Sequence, residues 1–78
     1  MVKEPELKGI DGWANGMYQH SVQFYPPVTL GKVVWHPFPS NPLTDKPLCE
    51  RTAKQFEHAG FKTKIVKSGN KYDLYMRK

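Results

Sequence analysis

The sequence FKTKIVKSGNKYDLYMRK, residues 61–78, does most to decide the fold. Two segments of alternating apolar and polar residues flank a Gly-Asn pair at 69–70, which is typical of the tight two-residue turn of a β-hairpin. Both alternations agree on one register, so we predict a hairpin with defined inner and outer faces. The residues predicted to face each other are Ser68 and Lys71, Lys67 and Tyr72, Val66 and Asp73, Ile65 and Leu74, Lys64 and Tyr75, Thr63 and Met76, and Lys62 and Arg77.

The two faces of this hairpin differ in character. The inner face is predicted to pack against the core and carries Phe61, Thr63, Ile65, Tyr72, Leu74 and Met76. The outer face is predicted to meet solvent or a partner and carries Lys62, Lys64, Val66, Asp73, Tyr75 and Arg77. Because side chains alternate along a strand, a single register assigns every residue to one of these faces.

The residues before the hairpin predict an amphipathic helix. Thr44 or Asp45 can cap its N-terminus, and Pro47 is tolerated in its first turn. Gly60 supplies the left-handed residue that commonly ends a helix. The stripe predicted to be buried is Leu48, Cys49, Thr52, Ala53, Phe56 and Ala59. The opposite side is charged and carries Lys46, Glu50, Arg51, Lys54 and Glu57, with Glu50 and Lys54 spaced to form an ion pair.

The first quarter of the chain gives weaker signals. Residues 1–16 contain three glycines and show neither helical nor strand periodicity, so we predict an extended N-terminal lead-in. A single domain is expected to occupy residues 17–78. Alternation over residues 17–25 predicts a strand, which Pro26 and Pro27 end because proline cannot donate to a ladder.

The middle of the chain completes the predicted fold. Residues 28–36, VTLGKVVWH, predict a second strand, and the proline-rich residues 37–47 predict a rigid connection to the helix. The element order ββαββ predicts an α+β fold, a small antiparallel sheet of about four strands with one helix packed on one face. Aromatic side chains are expected to fill much of the core, namely Trp13, Trp35, Phe24, Phe38, Phe56 and Phe61.

Motifs for metal binding and catalysis are not evident in the sequence. His20, His36, His58 and Cys49 lack the spacings of zinc sites. Cys49 and His58 lie nine residues apart on the predicted helix and so face opposite sides, which makes Cys49 a buried packing residue instead of a nucleophile. A chain of 78 residues also has little volume for an enclosed pocket. We therefore expect no metal, no cofactor and no enzymatic activity.

The net charge of the chain is confined to the terminal hairpin. Residues 1–60 hold six basic and six acidic residues, whereas residues 61–78 hold six basic and one acidic, which gives the whole net charge of +5. Such segregation is typical of proteins that bind nucleic acid or another acidic partner. In addition, Lys62 faces Arg77, and like charges opposed on a sheet destabilise it. Tyr75 lies beside Lys64, where its ring could stack on a base.

Two functional hypotheses follow from this charge pattern. The first is a small non-enzymatic module that binds nucleic acid through the basic hairpin. The second is a small protein-binding regulator or inhibitor, such as a phage-encoded protein that blocks a host factor, docked by the same face on an acidic protein surface. The residues predicted to contact either partner are Lys62, Lys64, Lys67, Lys71, Tyr75, Arg77 and Lys78. The lysines also fit an edge strand protected from aggregation, and an edge strand left open could pair two copies into a homodimer.

Cysteine usage and hydropathy indicate the compartment. The single cysteine cannot form an internal disulfide, and the sequence has no signal peptide and no N-glycosylation sequon. These features favour a reducing, cytoplasmic setting. No apolar run approaches the roughly 20 residues that a membrane span requires, so no membrane partner is expected.

Overall fold

The structure is a computed structural model that describes residues 3–78, with side chains described from residue 12 onward. Its elements are helix α1 (Lys3–Phe24), strands β1 (Val28–Leu30) and β2 (Val33–Pro37), helix α2 (Lys46–His58), and strands β3 (Lys62–Ser68) and β4 (Lys71–Arg77). The strands form one antiparallel sheet in the order β1-β2-β4-β3. The predicted α+β fold is confirmed, with the ββαββ order and a helix packed on one face of a four-stranded sheet. Neither helix within residues 3–78 is long and apolar enough to cross a membrane.

The predicted pairing of the hairpin is confirmed residue by residue, whereas the predicted packing of Ile65 against the core is wrong, because its side chain lies on the edge strand and is 38% exposed. Strands β3 and β4 pair in the predicted register, from Ser68 opposite Lys71 to Lys62 opposite Arg77. Gly69 has a φ of +62°, and Asn70 does not share the left-handed conformation, so the turn is of type II′ with glycine at its first central position. This turn matches the twist of the strands and fixes the register.

Helix α2 follows its predicted boundaries closely. The Asp45 carboxylate caps the N-terminus by accepting a hydrogen bond from the Leu48 backbone N–H over 3.4 Å, and Gly60 ends the helix with a φ of +96°. The residues that α2 buries are Cys49, Thr52, Ala53 and Phe56. The predicted burial of Leu48 is wrong, because its side chain lies at the edge of the stripe and is 44% exposed. Glu50 pairs with Lys46, over 4.0 Å, instead of with the predicted Lys54.

The N-terminal quarter is helical, which corrects two predictions. Residues 3–16 are not extended and residues 17–25 do not form a strand, because α1 runs through Phe24. The alternation in residues 17–25 is too polar and too short to exclude a helical period. The helical period is seen in the side chains that face the domain, Ala14, Met17, Tyr18 and Ser21. Residues 1 and 2 of the predicted lead-in lie outside the described residues.

The segment predicted as one strand over residues 28–36 is a second hairpin. Leu30 pairs with Val33, and Gly31 between them has a φ of +67°. The chain therefore reverses at Gly31-Lys32 in another glycine-first two-residue turn. The sheet has four strands because this hairpin supplies the strand that was predicted at residues 17–25.

The connection between β2 and α2 continues to pair with β4 after β2 ends. The Phe38 N–H donates to the Leu74 carbonyl over 2.8 Å, and Leu43 and Tyr72 exchange two backbone hydrogen bonds of 2.7 Å. Between them, the Asn41 side chain bonds Leu74 twice, donating to its carbonyl over 2.9 Å and accepting from its N–H over 3.0 Å. The proline-rich connection is therefore fixed along one side of β4, as the rigidity of its sequence predicts.

The core lies between the sheet and the two helices. Its fully buried large side chains are Phe56, Leu74 and Met76, and Phe38 and Phe61 pack edge-on against Phe56. The predicted core role is therefore confirmed for Phe38, Phe56 and Phe61. Trp13 contacts Phe38 and Phe56 but is partly exposed. Phe24 is 68% exposed, and Trp35 is half-buried on the other side of the sheet. The predicted core role is wrong for Phe24 and Trp35.

Candidate nucleic-acid interface

One face of the sheet is not covered by either helix. Tyr18 of α1 contacts both His36 and Phe61, and α2 packs Phe56 against Phe61, so both helices lie on the same face as Met76. Alternate residues of each strand point to the opposite side. We call this side the open face, and its residues are Val28, Leu30, Val33, Trp35, Pro37, Lys62, Lys64, Val66, Ser68, Lys71, Asp73, Tyr75 and Arg77.

A row of side chains on the open face combines a ring with two cations. Val28 pairs with Trp35, and Arg77 pairs with Lys62. The β2–β4 register places Trp35 beside Arg77, whose guanidinium carbon lies 5.2 Å from the centroid of the Trp35 ring. This cation–π contact holds the guanidinium over the indole, and the negative face of the ring stabilises the positive charge that lies opposite Lys62.

The next row carries a second ring. Tyr75 lies between Pro37 on β2 and Lys64 on β3. Burial raises the pKa of the Tyr75 phenol above its ordinary value, and the nearby Asp73 carboxylate raises it further. The phenol therefore stays neutral at physiological pH and can donate a hydrogen bond. Trp35 and Tyr75 are diagonal neighbours, a relation that places their backbones about 7–8 Å apart.

The open face has an excess of positive charge. Its cations are Lys62, Lys64, Lys71 and Arg77, and its single acid is Asp73, which leaves an excess of three. The three lysines are exposed, whereas Arg77 and Asp73 are half-buried. The exposed ammonium groups are free to reach a flexible anionic partner, and the half-buried Arg77 has a fixed orientation.

The structure brings together most of the predicted contact residues. Lys62, Lys64, Lys71, Tyr75 and Arg77 share the open face. Lys67 pairs with Tyr72 and lies on the helix side of the sheet. Lys78 also turns to that side, since its ammonium nitrogen lies 5.8 Å from the Tyr18 ring centroid and 5.5 Å from that of Phe61. Lys67 and Lys78 are thus separated from the predicted group.

Trp35 is the open-face residue that sequence reasoning missed. It was expected in the core because tryptophan is large and apolar. One sequence signal could have placed it, namely the glycine-first turn at Gly31-Lys32, which makes VTLGKVVWH a hairpin with Trp35 facing Val28. The contact with Arg77 could not have been found in this way, because the pairing of β2 with β4 joins residues far apart in the sequence.

The histidines and the cysteine form no common site. His36 packs edge-on against Tyr18, whereas His20 contacts Phe24 and Tyr25 at the end of α1. Cys49 is fully buried in the core. Across the described part of the chain, no group of three or more His, Cys, Asp or Glu side chains is placed to hold a metal ion.

Comparison of the chain with protein-family models, with curated proteins and with solved structures finds no match in any of the three. The residues of the open face, with their charge and ring geometry, therefore carry the functional inference.

Proposed function

We propose that this protein is a non-enzymatic module that binds single-stranded nucleic acid on the open face of its sheet. The observation that carries the proposal is the Arg77 guanidinium over the Trp35 ring, in a face that also holds Tyr75 and three exposed lysines. Cations interleaved with aromatic rings supply the two contacts that single strands require, one to the phosphates and one to the bases.

Each group has a distinct role in this proposal. Lys62, Lys64 and Lys71 neutralise phosphates and release counterions, which provides affinity without sequence preference. The Tyr75 ring, and the Trp35 ring together with the Arg77 guanidinium that lies over it, offer surfaces for neighbouring bases. Arg77 adds a planar guanidinium that can bond a phosphate while it remains stacked on the indole.

Single strands fit this surface better than a duplex does. Trp35 and Tyr75 are half-buried within a sheet, so their rings are presented to a ligand that lies along the face. Bases within a duplex are stacked on each other and cannot lie on such rings, whereas unpaired bases can. The open face also lacks a helix that could enter a major groove.

Charge reversal provides the first test. In a titration with oligo(dT) and oligo(U), about four phosphate contacts give a slope near −3 for the logarithm of the binding constant against the logarithm of salt concentration. The triple variant Lys62→Glu, Lys64→Glu, Arg77→Glu should abolish this binding. The matched control Lys32→Glu, Arg51→Glu, Lys54→Glu makes the same charge change at exposed residues outside the open face, and it should retain most of the oligonucleotide binding. Circular dichroism checks that both variants fold.

Ring removal provides the second test of the same proposal. Trp35→Ala should weaken oligonucleotide binding by roughly tenfold, because a stacked base contributes about 1–3 kcal/mol. The salt slope should change little, since the three lysines still meet phosphates. Phe24→Ala removes an exposed ring outside the open face and should have no effect.

Other results would contradict the proposal. Equal binding by the two triple variants would remove the open face from the interaction, and tighter binding to a mixed-sequence duplex would exclude single strands as the preferred ligand. Failure of the wild-type protein to bind any oligonucleotide would favour the alternative, an acidic protein partner for the same face. A pull-down from lysate after nuclease treatment would then identify such a partner.

A further inference from the structure

Strand β3 has one row of backbone groups that its own sheet does not pair. In a hairpin with a two-residue turn, the residues that flank the turn exchange hydrogen bonds, and the pattern alternates from there. The residues of β3 that bond β4 are therefore Lys62, Lys64, Val66 and Ser68. The N–H and C=O groups of Thr63, Ile65 and Lys67 point away from β4, and no strand within residues 3–78 lies on that side.

The corresponding groups on β4 are all paired, which makes the open edge of β3 distinctive. The backbone of Tyr72 bonds Leu43, and that of Leu74 bonds the Phe38 backbone and the Asn41 side chain. Met76 lies opposite His36 in β2. At the other end of the sheet, β1 is only three residues long. Strand β3, with seven residues, is therefore the long free edge of the described sheet.

A groove runs beside this edge, between β3 and α2. The groove has two stretches, with volumes of about 490 Å³ and about 270 Å³, and both are lined by Glu50 and Ile65. Ile65 is 38% exposed at its floor. Ala53 of α2 lines the larger stretch, and Tyr72 of β4 lines the smaller one.

The charges around the groove select an acidic occupant. Glu50 is paired with Lys46, and Glu57 accepts a hydrogen bond of 2.5 Å from the Thr63 hydroxyl. With Lys54, Lys64 and Lys67, which are all exposed, the lining carries four lysines against these two glutamates, an excess of two positive charges. A second copy of β3 would bring its own lysines against these, which is unfavourable, whereas an acidic strand would neutralise them.

We propose that β3 and α2 form a docking site for an extended acidic segment of a partner protein, which adds to the sheet as a fifth strand. Its backbone bonds Thr63, Ile65 and Lys67, as in other cases of strand addition to a free sheet edge. An apolar side chain of the segment lies over Ile65, and acidic side chains on either side of it meet Lys54 and Lys67. The site does not depend on the nucleic-acid proposal, because the added strand leaves the open face uncovered.

A peptide titration tests this site. The probe is an acetylated and amidated peptide, Ser-Glu-Thr-Val-Thr-Glu-Ser, followed by amide NMR of the 15N-labelled full chain. We expect saturable shifts at the amides of Thr63, Ile65 and Lys67, and slower hydrogen exchange at these amides in the complex. The same peptide with lysine in place of glutamate should bind far more weakly.

Two sets of variants separate the backbone contact from the charge contact. Ile65→Pro removes an N–H that does not bond β4, so the hairpin should persist while peptide affinity falls about tenfold. The control Ile65→Val keeps the N–H and should bind the peptide normally. The double variant Lys54→Glu, Lys67→Glu should reverse the preference and bind the lysine peptide. The control double variant Lys32→Glu, Arg51→Glu makes the same charge change away from the groove and should still prefer the acidic peptide.

Three results would overturn the proposal. The first is the absence of shifts along β3 at millimolar concentrations of the acidic peptide. The second is a Lys54→Glu, Lys67→Glu variant that still prefers the acidic peptide over the lysine peptide. The NMR spectrum of this variant checks that it folds. The third is a concentration-dependent shift of the Thr63, Ile65 and Lys67 amides without peptide, because that would assign the edge to a second copy of the chain.

Discussion

Cys49 illustrates at the scale of one residue how the core sets chemical behaviour. Its side chain is fully buried in the stripe that α2 turns to the sheet. Burial raises the pKa of the thiol above its ordinary value, and the carboxylates of Glu50 and Asp73 raise it further. Because the thiolate is the reactive form, a buried neutral thiol is inert. The predicted role of Cys49 as a small buried hydrophobic residue is thus confirmed by its burial.

The raised pKa of Cys49 predicts a pH dependence of stability. In the unfolded chain the thiol ionises near its ordinary pKa of 9.0, whereas in the folded chain it keeps its proton to higher pH. Above pH 9 the folded state therefore binds more protons, so this thiol makes the free energy of unfolding fall as pH rises. The Cys49→Ala variant should lack this component of the fall while losing about 1–3 kcal/mol at neutral pH.

The measurement is urea unfolding of both proteins from about pH 7 to about pH 10.5, which spans the ordinary pKa of 9.0 of the thiol. The variant serves as the control for the lysines and tyrosines that titrate in the same interval, so the informative quantity is the difference between the two curves. DTNB should label the native thiol slowly. Rapid labelling of native protein, or parallel pH profiles of the two proteins, would contradict the prediction.

At the scale of elements, local signals predicted α2 and the β3–β4 hairpin well. Their N-cap, helix stop and turn each lie within a few residues of the segment that they define. Helix α1 has no such signal, because Gly12 and Gly16 lower its intrinsic helix propensity. It is stabilised by docking, with Ala14 and Ser21 buried and the Ser21 hydroxyl bonded to the Pro37 carbonyl over 2.6 Å. Such tertiary contacts cannot be read from the segment alone.

The glycines of α1 provide a prediction for this element. A Cβ added at Gly16 would meet no other atom within 4 Å, and the residue is helical, so Gly16→Ala should stabilise the protein by about 1 kcal/mol. Gly60→Ala is the control, because its φ of +96° should make the same change destabilising by a similar amount. Urea unfolding followed by circular dichroism measures both. Destabilisation by Gly16→Ala would show that this part of α1 is not helical in solution.

At the scale of the whole molecule, the two faces of one sheet differ in role, since one packs in the core and the other is the surface proposed to bind nucleic acid. Leu74 and Met76 of β4 are buried under the helices, whereas the residues between and after them, Tyr75 and Arg77, belong to the open face. A strand can therefore stabilise the core and present a binding surface at once, because its side chains alternate. Substitutions on the open face should accordingly change binding with little effect on folding.

The sequence predicted one half of the candidate site and missed the other. Lys62, Lys64, Tyr75 and Arg77 were assigned correctly to one face because the hairpin register is local. Trp35 reaches Arg77 only through the β2–β4 pairing, which joins His36 to Met76 across half the chain. No short-range pattern specifies that pairing, so the stacking surface depends on the assembled sheet.

Docking of α1 completes the fold and provides a last prediction. Ala14 is fully buried against the core, whereas Gln19 on the same helix is exposed. Ala14→Arg would place a charged side chain in this packed region, so α1 should undock and the free energy of unfolding should fall by at least about 2–3 kcal/mol. Gln19→Arg makes the same charge gain at a solvated position and should change stability by less than about 0.5 kcal/mol. Thermal unfolding compares the stability of the two variants. The fluorescence of Trp13, whose ring contacts Phe56, reports the undocking of α1. If both variants melt like the wild type, the core of this protein does not require α1.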